Sequence, residues 1–319
     1  MGPSSVNGQR RANPPLDRRR FMQTSNTIVG VDFGAPKQAR DQRRKIIAVA
    51  ARPTDWRKYR IDASDFNERL LANNPPGWTA RELLDRLLKQ PVRIVAFDFP
   101  FCIPDALLRD EKFAAAVGHD DGAFMGWRAF NWFVAERLQL SDPLDFRPFE
   151  AWRSRADRER LWTKRATDIA TGGQPPLEDK FQATLLGNVL LAHLWESNRY
   201  RVLPFPGGRG SGEVLEVFPG ATLRQMGLSR YKSNPKEAIR LGIGACAAAG
   251  IKLDVDLRLK AFCCRYSSGR GRTPDYDAAD AFVALCTGIL HAEGACSAAI
   301  DGDPYFKQTE GAIWVPRIA

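Results

Sequence analysis

Side chains that bind soft metals are scarce in this 319-residue chain: it has three histidines, His119, His193 and His291, and six cysteines, Cys102, Cys246, Cys263, Cys264, Cys286 and Cys296. None of them forms a CxxC knuckle or a Cys/His cluster of ligand spacing, which excludes a zinc-finger type of centre. Several cysteines lie in apolar helical stretches, so buried, reduced thiols in a cytoplasmic protein are expected. Also missing is any apolar run of the roughly 18 residues that would cross a bilayer, which excludes a transmembrane helix and leaves no reason to expect a membrane partner.

Charge is unbalanced. Lys and Arg number 47 against 37 Asp and Glu, a formal net charge of +10, which points to a polyanionic partner or simply to solubility. Residues 1–26 are rich in Pro, Asn, Ser and Arg, with Arg10, Arg11, Arg18, Arg19 and Arg20 set against Asp17. They read as a disordered basic tail, either a solvated leader or a phosphate-binding arm. Arg18-Arg19-Arg20-Phe21-Met22-Gln23 has the look of a twin-arginine signal, yet Thr24-Ser25-Asn26-Thr27 follows where an apolar segment is required, so export is not expected.

The pattern from residue 27 onward predicts an α/β fold in one domain reaching residue 319. Three short strand-like segments, Thr27 to Phe33, Lys45 to Arg52 and Arg57 to Asp62, come first. Thr79 then caps a helix through Gln90, with Glu82 at the capping-box position and leucines 83, 84, 87 and 88 at helical spacing. Val92 to Phe97 is a short apolar run suited to a central buried strand. A helical insertion at about 104–200 follows, predicted as Asp105 to Val117, Phe124 to Leu138, Ala151 to Ile169 and Leu177 to Asn198. Val214 to Phe218 is a fifth strand; helices over Pro235 to Ala249 and Asp275 to Glu293 and a short apolar run, Ala312 to Val315, complete the chain. Three strands before the first crossover match the element order of the ribonuclease H-like fold, a mixed β-sheet flanked by helices, and not that of a doubly wound Rossmann sheet.

Acids stand at the ends of these segments. Asp32 closes the first strand and Asp98 the fourth; if those strands are adjacent and parallel, the two carboxylates emerge together and repel unless a cation lies between them. Asp277 and Asp280, three apart, share a face at the start of an apolar helix, and Glu216 lies within the fifth strand. Together they form a candidate catalytic set, Asp32, Asp98, Asp277, Asp280 and Glu216, for Mg²⁺ or Mn²⁺ acting on a phosphodiester. Each acid has a second reading. Asp275 and Asp277 suit a helix N-terminus electrostatically, and Glu216 equally suits a structural pairing with an arginine. Asp98 and Asp280 have apolar neighbours, where a carboxylate needs a partner.

Lys260, Arg265, Arg270 and Arg272 precede the Asp277 helix and are candidate nucleic-acid contacts. A second basic cluster, Arg153, Arg155, Arg158, Arg160, Lys164 and Arg165, lies in the insertion and reads equally well as a solvated helix face with Asp157 and Glu159. Asp32-Phe33-Gly34 copies a protein-kinase triplet without the kinase's upstream motifs, and the glycine-rich segment 207–212 precedes a strand where a phosphate loop would open a helix.

Five segments together resemble a family of bacterial and archaeal proteins described as predicted nucleases with a ribonuclease H-like fold: Gly30-Val31-Asp32-Phe33-Gly34, Ala96-Phe97-Asp98-Phe99-Pro100 with Pro104, Glu216-Val217-Phe218-Pro219-Gly220, Asp277-Ala278-Ala279-Asp280-Ala281, and Glu310-Gly311-Ala312-Ile313-Trp314-Val315-Pro316. The resemblance implies two-metal-ion hydrolysis of DNA or RNA with Asp32, Asp98 and Asp280 as metal ligands, assisted by Asp277 or Glu216. The Asp277/Asp280 spacing is similar to that of Holliday-junction resolvases of the same fold. The alternatives are an actin-like or sugar-kinase-like ATP-binding phosphotransferase and a catalytically inactive nucleic-acid-binding protein.

Overall fold

β1 (Ser25–Phe33) sits in the middle of the molecule and reads as an almost unbroken buried run from Ile28 to Val31, as a strand covered on both faces requires. The computed structural model describes residues 25–62, 65–156, 158–178, 180–228, 234–265, 276–300 and 305–317. The basic tail expected over 1–26 lies outside them apart from Ser25 and Asn26, which already belong to β1.

β2 (Ile46–Asp55) pairs antiparallel with β1, and β3 (Lys58–Ile61) antiparallel with β2. On the other side β4 (Val92–Asp98) runs parallel to β1, and β6 (Gly212–Val217) parallel to β4. The three antiparallel strands and the two parallel additions are as the sequence pattern predicts. The sheet is wider than that, with nine strands among the described residues. β7 (Lys252–Val255) extends it beyond β3. On the far edge β9 (Ile313–Pro316) pairs with β6, β8 (Cys296–Ala299) pairs antiparallel with β9, and β5 (Tyr200–Val202) also pairs with β6. The unexpected strands are three or four residues long, too short to establish a period of two.

Each face of the sheet is covered by helices. Val29, Val31 and Phe33 of β1 join Val95 and Phe97 of β4 in one core with α3 (Ala80–Lys89), α6 (Trp127–Leu138) and α10 (Phe181–Glu196). Ile28 of β1 and Ile94 and Ala96 of β4 join a second core around α14 (Asp277–Ala292), which is buried at every residue from Ala278 to Leu290. Thr79 and Glu82 form the expected capping box on α3.

Between β4 and β5 the described residues hold helices only: α4 (Asp105–Leu108), α5 (Glu111–Ala116), α6, α7 (Arg147–Arg153), α8 (Arg158–Trp162), α9 (Ala166–Thr171) and α10. The single helix expected over Ala151 to Ile169 is instead three short ones. Arg165 has extended backbone, φ −73° and ψ 159°, which ends the run and lets its side chain turn inward. A seven-residue helix, α1 (Ala39–Lys45), also stands between β1 and β2, where the pattern suggested only a connection.

Candidate metal centre

The pleat places the first two carboxylates. Successive strand residues point to opposite faces, so Asp32 lies opposite to Val31 and Phe33 and on the α14 side with Ile28; the same alternation puts Asp98 on that side with Ile94 and Ala96. The β1–β4 register pairs Asp32 directly with Asp98. Parallel pairing therefore delivers both acids to one strand-end edge, as the sequence predicts.

α14 delivers the third. The helix can approach β1 only because residue 30 is glycine: a Cβ there would stand 2.1 Å from the backbone nitrogen of Leu285 and 2.4 Å from the carbonyl oxygen of Ala281. With the helix that close, one carboxylate oxygen each from Asp32, Asp98 and Asp280 fall within 4.8 Å of one another. Asp98 and Asp280 are each 7% exposed, so these charges are largely removed from water.

Electrostatics register the crowding. Burial, then the negative charges of Asp277, Asp98 and Asp280, push the Asp32 carboxyl well above its ordinary range, against the opposing effect of Lys180. Lys180 responds in the other direction: the charge of Asp98 above all, with Asp32, Asp280 and Asp277, raises its pKa despite burial. Asp277 sits at the first turn of α14 beside the triad, with Lys45 Nζ 3.5 Å from its Oδ2. Three carboxylates and no histidine or thiolate form a hard-oxygen donor set, suited to Mg²⁺ or Mn²⁺ and poorly suited to zinc.

Glu216 is placed differently. It is buried on β6 and held by Arg165, whose Nη1 donates to Oε2 at 2.8 Å, while the Phe101 backbone N–H donates to the same oxygen at 3.0 Å. Of the two readings open for Glu216, arginine pairing is the one observed. Arg165 is fully buried and also donates from Nη2 to Asp168 Oδ1 at 2.7 Å. Burial works against its charge, but Asp168 and Glu216 outweigh that and raise its pKa well above the ordinary value. Glu310 completes the cluster by accepting from the backbone N–H groups of Asp105 at 2.6 Å and Ala166 at 2.8 Å. Burial pushes the carboxyls of both Glu216 and Glu310 upward. This network pins α9, the α4 end and the C-terminal segment against β6. Its lining is shared with Asp98 and Lys180 across a small cavity of about 30 Å³.

Of the candidate nucleic-acid contacts, Lys260 on α13 (Leu257–Cys263) and Arg265 just beyond it line a surface cleft of about 670 Å³ with Lys236 and Arg240; none of the four aspartates lines it. Arg270, Arg272 and Asp275 lie outside the described residues.

Sequence reasoning missed Lys180, Lys45 and the charge network of Arg165, Asp168 and Glu310. Lys180 follows Glu178 and Asp179 in the stretch expected as a helix from Leu177 to Asn198, and only the three-dimensional placement of α10 brings its charge to the acids. Arg165 belonged to the basic cluster that could equally be a solvated face, yet it is fully buried. The one available signal was Glu310, which heads the last of the five resembling segments. No model of a protein family, no curated protein and no solved structure matches this chain.

Proposed function

We propose that the protein is a nuclease of the ribonuclease H-like type that hydrolyses phosphodiester bonds in DNA or RNA with Mg²⁺ or Mn²⁺. One observation carries the reading: three aspartates from separate segments, Asp32, Asp98 and Asp280, bring carboxylate oxygens within 4.8 Å of one another at a strand-end edge. Like charges gathered this closely and partly buried are costly without a counter-cation, and the folded chain supplies only part of one through Lys180. Asp32, Asp98 and Asp280 would hold the ion. Asp277, next to them and paired with Lys45, would be the further carboxylate at a second ion in a two-metal arrangement. When bound, such a cation supplies Lewis-acid stabilisation of the phosphoryl oxygens and a water nucleophile usable at neutral pH. Lys180 partly neutralises the acids, and Glu216, engaged with Arg165, fixes the scaffold instead of touching the reacting group.

The test is cleavage of labelled single- and double-stranded DNA and RNA in the presence of Mg²⁺ or Mn²⁺. Activity that requires the ion and is lost in Asp32→Asn is expected. Cleavage that persists in Asp32→Asn removes the mechanism. ATP-dependent thermal stabilisation without cleavage would favour the phosphotransferase reading, and salt-sensitive binding without cleavage under any divalent ion would leave a nucleic-acid-binding protein.

A further inference from the structure

Beside the aspartates an open cleft of about 590 Å³ is lined by Phe33, Gly34, Lys45, Arg153, Glu178 and Lys180, together with the start of α10. It begins one residue from Asp32. Gly34 makes the wall compact: its N–H donates to the Lys45 carbonyl at 2.8 Å, and a Cβ on it would lie 2.7 Å from the Lys45 Cβ. The end of β1 and the end of α1 therefore touch, which holds Lys45 at the rim. Opposite stands Arg153, the last residue of α7; its Nη2 donates to the Glu178 carbonyl at 3.1 Å and its guanidinium lies 5.0 Å from the centre of the Phe181 ring. These contacts, to a carbonyl and to a ring face, fix the plane of the guanidinium. Lys180, the N-cap residue of the 16-residue α10, lines both this cleft and the cavity containing Asp98. The positive end of the α10 dipole faces the same space. Negative groups at the cleft are Glu178 in its wall and Asp277 behind Lys45.

We propose that this cleft, with Lys45, Arg153 and Lys180 on its walls, receives the sugar-phosphate backbone of the strand whose scissile phosphate reaches Asp32, Asp98 and Asp280. The proposal rests on the nuclease reading and adds the path of the substrate to it. Three cations from α1, α7 and the start of α10 make sequence-independent phosphate contacts, and no base-reading group is required of them. Lys180 links this cleft to the cavity that contains Asp98, whereas the cleft between α12 (Pro235–Ala248) and α13, holding Lys236, Arg240, Lys260 and Arg265, shares no lining residue with that cavity.

The test measures binding separately from chemistry. Fluorescein-labelled DNA and RNA oligonucleotides are titrated with the full chain by fluorescence anisotropy in Ca²⁺, over a series of salt concentrations, for wild type, Arg153→Gln, Lys45→Gln, and a Lys260→Gln/Arg265→Gln comparator. Binding of Mn²⁺ alone is measured in each by paramagnetic relaxation. The expected result is a several-fold loss of affinity in Arg153→Gln and Lys45→Gln. The slope of log K against log salt should become shallower by about 0.7 to 0.9 for each contact removed. Arg153→Lys should recover most of the slope, and Mn²⁺ affinity in Arg153→Gln should be unchanged. Arg153 decides the matter, because its contacts are the Glu178 carbonyl and the Phe181 ring and not an aspartate of the triad. Loss of binding in the comparator with none in the cleft variants overturns the proposal and leaves the nuclease reading intact. Absence of oligonucleotide binding by the wild type also overturns it. Failure of the nuclease reading is read independently, as absence of cleavage in Mg²⁺ and Mn²⁺.

Discussion

Gly30 and Leu285 approach so closely that a Cβ on the glycine would stand 2.1 Å from the leucine's backbone nitrogen. The obstacle is main chain of a buried helix, which cannot rotate aside as a flexible side chain could. Gly30→Ala must therefore push α14 away from β1. Overpacking of this kind costs about 1–3 kcal/mol, and a backbone clash belongs at the upper end or beyond. The same displacement would carry Asp280 away from Asp32 and Asp98. Urea unfolding is expected to show a loss of about 3 kcal/mol or more, and Mn²⁺ titration a weakened site. A variant of unchanged stability and metal affinity would disprove the role assigned to this contact.

Asp32 titrates with the opposite sign from a salt-bridged carboxylate. Its folded-state pKa is raised by burial and by Asp277, Asp98 and Asp280, so above the ordinary value of 3.8 the folded protein holds a proton that the unfolded chain has released. In the absence of divalent ions, stability contributed at this position is greatest at low pH and declines as pH rises through the raised pKa. Asp32→Asn should flatten that decline and raise the melting temperature of the metal-free protein at neutral pH. With Mn²⁺ at a hundred times its dissociation constant, the wild type should gain about 2.7 kcal/mol and the variant much less. Parallel thermal melts with and without chelator, across pH, check both signs. A metal-free Asp32→Asn protein less stable than wild type at neutral pH would contradict the crowding.

The cysteines should behave as inert interior thiols with a single exception. Burial raises Cys102 and Cys263, and lifts Cys296 to about 12; a hydrogen bond with Cys246, then burial, raises Cys286 well above its ordinary value. Cys246 itself is fully buried. Cys264 is also raised by burial, but it is the one cysteine that is only partly covered. Ellman's reagent is therefore expected to modify one thiol of the native protein quickly and the others only on unfolding. Cys264→Ser should abolish the fast phase. More than one fast thiol would mean that the core opens more readily than its packing implies.

The sheet centre was legible because its signals are local. Val29-Gly30-Val31-Asp32 and Val95-Ala96-Phe97-Asp98 each carry an apolar run ended by an acid, and adjacency of two parallel strands suffices to bring the acids together. Asp280 could be singled out because a carboxylate set among alanines and phenylalanine in a buried helix demands a partner. Lys180 and Arg153 carried no such signal. Each stands in a polar stretch whose residues look solvent-facing, and their placement on one cleft with Phe33 and Gly34 is a long-range arrangement that periodicity does not encode. Arg165 failed for a related reason: five neighbouring basic residues, Arg153, Arg155, Arg158, Arg160 and Lys164, gave it the look of a surface face.

Arg165 is also where the scaffold is most vulnerable. Its guanidinium is fully buried and divided between Asp168 and Glu216, and its Nη1 reaches the Glu310 carbonyl at 3.3 Å. Removing the cation leaves two buried carboxylates facing each other without a counter-charge, a loss typically of about 3–5 kcal/mol for a buried pair broken on one side. Arg165→Met should accordingly lower the urea midpoint sharply, with Asp32, Asp98 and Asp280 themselves untouched. Adding Glu216→Gln should recover part of that loss, because one of the stranded charges disappears while the side-chain shape and the acceptor for the Phe101 N–H remain. Burial already pushes Glu216 toward its neutral form, so in the single Arg165→Met variant the deficit should shrink as pH is lowered. A double-mutant cycle at two pH values measures both effects. Strict additivity of the two substitutions, with no pH dependence of the difference, would show that Arg165 and Glu216 do not act as a coupled pair.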